Sequence, residues 1–297
     1  MSTEPAPPDP YFALPASRED EPRPGGAGRR RPRWAPWTAV VALIAGLAAA
    51  LFGALVIGAF AYAFGADFKH QPPSVTIAAT VVQDICLIGA AILFARMAGR
   101  VNPADFGLRS TRFLPALGWA VLAWTSFYVF TAAFVAIIGA NPKDDQLPKE
   151  LGADESTLAL LAVAVLVAVV APVAEEFFFR GYFYGSLRNW RGVWPAAIGT
   201  GVVFGAIHGS SADAAFLLPL AFFGFALCLL YEKTGSLYPG IAVHCVNNSI
   251  AFGATQHWSW QIPVLLVCAL AAITAVALGV RHVWSPRPPA AAPAPAA

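Results

Sequence analysis

The stretch Pro172-Val173-Ala174-Glu175-Glu176-Phe177-Phe178-Phe179-Arg180 lies inside a hydrophobic run that begins near Leu158. Two adjacent acids and an arginine at that position are costly in a bilayer, roughly 2.5–3.5 kcal/mol each on insertion scales. If the run is helical, Glu176 and Arg180 are i, i+4 neighbours that can neutralise one another. Glu175 is turned about 100° away on the helix and lacks that partner. Two further polar stretches inside apolar runs can meet it: Phe204-Gly205-Ala206-Ile207-His208 and His244-Cys245-Val246-Asn247-Asn248.

The surrounding composition sets the solvent. Of 297 residues, 58% are hydrophobic and 12% charged, and the mean hydropathy is +0.61. A soluble domain carries about twice that charge. Apolar runs recur from Trp37 to Val283, continuous and rich in Ala, Leu and Val rather than alternating. That pattern excludes a β-barrel and predicts an all-α, polytopic membrane protein of about eight transmembrane helices. The predicted spans are Trp37–Phe64, Val75–Ala98, Leu114–Ile138, Leu158–Leu187 with an interruption at Pro172, Trp194–His208, Ala214–Tyr231, Leu237–Ala254 and Trp260–Val283.

These spans divide the chain into five parts. Residues 1–33 read as a disordered, basic and Pro-rich tail, and 34–154 as N-terminal transmembrane helices with connectors. Residues 155–255 read as the polar-motif core, 256–284 as the last transmembrane helix, and 285–297 as a disordered Pro/Ala tail. The cluster Arg29–Arg33 is read as a topology signal rather than a nucleic-acid site. Arg96, Arg100, Arg109, Arg112, Arg188, Arg191, Lys233, Arg281 and Arg287 fall on the same side, which places both termini in the cytoplasm. Trp34, Trp37, Trp190, Trp194, Trp258, Trp260 and Trp284 lie near span ends, where an aromatic belt is expected. The four cysteines show neither a disulfide framework nor a metal-ribbon spacing.

Depth follows from the helical rise of 1.5 Å per residue. Glu175 and His208 each lie roughly 20 Å from the turn that joins their helices. His244 is only about seven residues into its span, roughly 10 Å deep, with Asn248 near 16 Å. A carboxylate, two imidazoles and a carboxamide would then converge in a medium of low dielectric constant. Such a set can activate water and stabilise an oxyanion, which amounts to amide hydrolysis. Glu, His and His also match a hydrolytic zinc triad in type, although without a short zinc signature. Zinc is therefore one cofactor reading, and no cofactor at all is the other. A non-catalytic scaffold or transporter using the cluster for binding is the reading from a different class.

The three motifs, Glu175-Glu176-x-x-x-Arg180, Phe204-x-x-x-His208 and His244-x-x-x-Asn248, resemble in order those of the CAAX-protease and bacteriocin-processing family (Abi, type II CAAX prenyl endopeptidases). Pro172 and Gly181 fit the usual surroundings of the first motif, and Asp105–Arg109 resembles a connector of bacterial members. The resemblance covers about residues 155–255. It implies an eight-helix intramembrane endopeptidase in the cell membrane acting on membrane-associated peptides or proteins. Carried over, Glu175 activates the water with help from His208, His244 and Asn248 form the oxyanion hole, and Glu176 and Arg180 support the site. The mechanism it implies is either metal-dependent or a metal-free, glutamate-dependent one, the latter suiting an Asn amide better.

Overall fold

A computed structural model describes residues 34–67, 71–139, 147–210 and 212–283. The two expected tails, 1–33 and 285–297, lie outside the described residues, as do Lys69, His70, Lys143 and Trp284. Eight principal helices follow one another: α1 Pro36–Ala63, α2 Pro73–Met97, α3 Phe113–Ile138, α4 Thr157–Arg191, α5 Val193–Ile207, α6 Ala214–Thr234, α7 Tyr238–Thr255 and α8 Gln261–Val283. No strand occurs among the described residues. Prolines begin α1, α2 and α7, where a missing N–H costs nothing. Ser156 and Asp213 cap α4 and α6 by accepting from Ala159 N and Ala215 N.

Six of these helices (α1, α2, α3, α4, α6 and α8) are long and apolar enough to cross a membrane. On α1, Leu51, Phe52 and Phe60 are 64%, 69% and 67% exposed, an outer surface suited to lipid. The protein is thus an integral, polytopic membrane protein. The remaining two helices carry the second and third polar motifs: α5 has 15 residues and α7 has 18. They pack among the others, so they need less apolar surface of their own.

The interruption expected at Pro172 is absent, and α4 runs unbroken for 35 residues. Two π-helical segments, Leu166–Val170 and Phe177–Tyr184, absorb the disturbance. In the first, Ala171 N donates to Leu166 O, five residues back. Continuing that register, the carbonyl of Val167 would look to Pro172, which has no N–H. A backbone acceptor is thereby left open to a side chain of another helix.

Small residues set the closest approach. A Cβ on Gly201 would lie 2.5 Å from Ala221 O, and one on Gly205 would lie 2.5 Å from Leu217 O, so α5 and α6 touch backbone to backbone. Gly209, one turn further on, meets only the tip of Leu217 at 3.9 Å. Gly201→Ala is expected to cost about 1–3 kcal/mol through overpacking. A lowered unfolding midpoint in detergent would register it, and an unchanged midpoint would refute the close contact.

The connector between α2 and α3 folds inward. Asn102 and Asp105 form a reciprocal capping box around a 3-10 turn, Pro103–Phe106. Gly107, at φ +90°, then redirects the chain. Arg109 Nε donates to Gly235 O, Ser236 Oγ donates to Arg109 O, and Leu237 N donates to Gly107 O. Trp34 closes this region from the other side, with its ring 5.1 Å from Phe106 and 5.0 Å from Tyr182. It is buried, unlike the interfacial anchor its position suggests, because the connector offers it an aromatic pocket. Trp37, Trp190, Trp194 and Trp260 are exposed, as a belt requires.

Candidate functional site

The connector solves the depth mismatch of His244. Ser236 and Leu237, which precede α7, are buried beneath the Asn102–Arg109 segment rather than at the membrane surface. His244, about two turns into α7, reaches both glutamates. Gly240 permits the approach, since a Cβ there would lie 2.9 Å from Glu176 Oε2.

The ion pair expected within α4 is present. Arg180 Nη1 donates to Glu176 Oε1 at 2.7 Å, and both side chains are fully buried. Arg180 Nη2 donates to Gly224 O at 3.1 Å, and its guanidinium lies 4.6 Å over the Phe204 ring. The charge is thus met by a carboxylate, a carbonyl and a π face, which is what a buried arginine requires.

His244 stands between the two acids. Its Nδ1 lies 3.0 Å from Glu176 Oε1, and its Nε2 lies 3.7 Å from Glu175 Oε2. Glu176 Oε1 already accepts from Arg180 Nη1, so Nδ1–H is the donor to it and Nε2 is turned toward Glu175. Glu175 Oε2 is buried and has no hydrogen-bond partner among the described residues. His244 thus approaches Glu175 as well as Glu176, a contact that the sequence reading did not name.

His208 ends α5. Its Nδ1 lies 2.7 Å from the Phe204 carbonyl oxygen, which can only accept, so Nδ1 carries the hydrogen and Nε2 faces outward from that bond. The Phe204 ring is the common wall of the cluster. It lies 4.8 Å from the His208 ring, 5.8 Å from the His244 ring and beneath Arg180. All three sequence motifs therefore meet at Phe204.

Asn248 is fixed at both ends. Its Nδ2 donates to the open Val167 carbonyl at 3.0 Å, and its Oδ1 accepts from Asn247 Nδ2 at 3.3 Å. One Asn248 N–H remains for another acceptor. Among the described residues no three His, Cys, Asp or Glu side chains converge as a metal-ligating group. His244 Nδ1 is taken up by Glu176 Oε1, and its Nε2 stands 3.7 Å from Glu175 Oε2.

Two residues near the site escaped the sequence reading. Asp84 on α2 is 3% exposed, its Oδ2 has no partner among the described residues, and it feels the charge of Glu175. A single aspartate inside a span was a visible signal. Asn247 was quoted only as the neighbour of Asn248, yet it is part of the hydrogen-bonded chain that holds it.

Fold and site together define a polytopic helical membrane protein with a buried Glu–His–Asn centre. Residues 157–250 match the family model for Rce1-like type II CAAX prenyl endopeptidases. The resemblance carried by the three motifs is thus borne out over the segment that contains them. Over 102 residues the chain is 29% identical to YdiL of Bacillus subtilis (strain 168), a candidate membrane peptidase by its name; the match covers 32% of this chain and 41% of that protein. Over 91 residues it is 26% identical to the UPF0177 protein YxdF of Lactococcus lactis subsp. lactis (strain IL1403), covering 31% and 49%. The matched regions span less than half the length of these curated relatives. No solved structure matches the chain.

Proposed function

We propose that the protein is an intramembrane endopeptidase that hydrolyses peptide bonds of membrane-associated peptides or proteins. The observation that carries this reading is His244 suspended between Glu176 and Glu175. With Nδ1–H given to Glu176, the matching tautomer of His244 presents a bare Nε2 to Glu175. Two acceptors 3.7 Å apart do not bind each other. A water that donates one O–H to each satisfies both and is held where a proton can be taken from it.

In the first step Glu175 takes a proton from that water, and the oxygen forms a bond to the scissile carbonyl carbon. The carbonyl oxygen becomes an oxyanion, which the remaining Asn248 N–H stabilises. In the second step the C–N bond breaks and the departing amine nitrogen takes a proton. His208, with its Nε2 directed away from Phe204, and His244 are the residues that can carry that proton, which originates from the water. Arg180 keeps Glu176 ionised, and Glu176 in turn fixes the tautomer of His244, as an orienting acid does for a general base. Every proton is thereby accounted for by the chain's own residues.

The topology that accompanies this reading puts both termini in the cytoplasm and the protein in the cell membrane, from the distribution of Arg and Lys. Asn248→Ala is expected to lower kcat by about 10²–10³, the typical cost of one oxyanion donor, with a small change in KM. The test is cleavage of a membrane-peptide library by purified protein in lipid, wild type beside Asn248→Ala, with and without a strong chelator. Cleavage that survives the chelator and falls in the variant supports the glutamate–histidine water mechanism. Cleavage lost on chelation would overturn it in favour of a metal. Equal cleavage by both proteins would remove Asn248 from the mechanism.

A further inference from the structure

We infer that Tyr128, on α3 and outside the family-matched segment, is a positioning residue for Asn248, acting through Asn247. This rests on the peptidase reading above for its catalytic consequence, but not for its structural one. Tyr128 is unusual where it stands. It lies 15 residues after Phe113, where α3 begins, roughly 22 Å along the helix axis. Tyrosines that anchor a protein in a membrane gather at the interfaces, not near the middle of a span. A phenol at that depth needs a partner for its O–H, because hydrocarbon supplies none.

The partner is on the site helix. Tyr128 Oη donates to Asn247 Oδ1 at 3.3 Å. Asn247 Nδ2 donates to Asn248 Oδ1 at 3.3 Å, and Asn248 Nδ2 donates to Val167 O at 3.0 Å. The donors all run in one direction, from α3 through α7 to α4. The chain fixes which end of each amide carries nitrogen, since a flipped Asn247 would present N–H to the phenol and oxygen to Asn248 Oδ1. It also holds the Asn248 plane from two sides, so its second N–H is aimed by the fold rather than free to rotate. Trp124, one turn earlier on α3, packs against the Tyr128 ring at 4.6 Å and restricts its movement.

The consequence is specific. Removing the phenol oxygen leaves Asn248 in place but loosens its orientation, so the effect falls on the transition state and not on substrate binding. Tyr128→Phe is expected to lower kcat roughly tenfold, less than the 10²–10³ for loss of the oxyanion donor itself, with KM within about twofold. In an Asn248→Ala background the same change is expected to have almost no effect, because both act through one hydrogen bond. An independent readout follows the ¹⁵N–¹H side-chain signals of Asn248, assigned by their loss in Asn248→Ala, in detergent or nanodiscs. They are expected to shift or broaden in Tyr128→Phe while the unfolding midpoint stays close to wild type.

Unchanged Asn248 signals in Tyr128→Phe would overturn the inference whether or not a substrate is found. Shifted signals with an unchanged kcat, or equal losses in both backgrounds, would overturn the positioning role. If wild type and Glu175→Gln fail alike to cleave the peptide library, the peptidase reading fails, and the amide signals still decide the hydrogen-bond chain.

Discussion

Glu175→Gln is expected to abolish peptide cleavage, by 10²–10⁴ or more, in a protein that remains folded. The substitution keeps the shape of the side chain and removes its capacity to take a proton. Glu175 Oε2 accepts no hydrogen bond among the described residues, so no structural contact at that atom is lost. His244 Nε2, 3.7 Å away, keeps its own anchor on Glu176. Cleavage by purified wild type and variant in lipid, with unfolding midpoints measured on the same samples, checks both halves. Equal cleavage would remove Glu175 from the mechanism.

The same substitution one residue later is expected to do the opposite kind of damage. Glu176→Gln leaves Arg180 fully buried without its carboxylate, and breaking a buried pair in this way typically costs about 3–5 kcal/mol. That is a large part of the roughly 5–15 kcal/mol that holds a typical protein together. Gly224 O and the Phe204 ring remain to Arg180, but neither neutralises it. His244 also exchanges a charged acceptor for a neutral amide oxygen. A strongly lowered unfolding midpoint and reduced levels in the membrane are the expected results. A midpoint equal to wild type would mean that Arg180 finds another counter-charge.

The contrast between adjacent glutamates was legible in the sequence. Four-residue spacing put Glu176 with Arg180 and turned Glu175 away, and both relations are present. So was the helical frame: the spans predicted from Trp37 to Val283 correspond one for one to α1–α8, usually within a few residues at each end. Membrane solvent makes this easy, because every backbone amide must be paired within its own helix. The effect of Pro172 was not legible. A proline argues for a break, but the preceding π-helical segment lets α4 continue and leaves the Val167 carbonyl for Asn248.

The approach of His244 to Glu175 was not legible either. Depth counted from span ends put His208 beside it and left His244 too shallow. That count assumed α7 starts at the membrane surface, whereas the Gly107 and Arg109 contacts draw its first residues inward. Asp84 and Tyr128 remained unassigned for the same reason. Each lies far from the motifs along the chain, and nothing local says which neighbour it faces.

By itself, then, the sequence determined the solvent, the helices, their order and the face of each helix that carries polar groups, since hydropathy and a period of 3.6 residues are local properties. Only the tertiary structure decided which faces meet: His244 with both glutamates, Asn248 with a carbonyl orphaned by a proline, and Tyr128 with Asn247. Those pairings depend on how deeply each helix is seated and how closely its glycines let a neighbour approach, and both are set by contacts between residues distant in the chain.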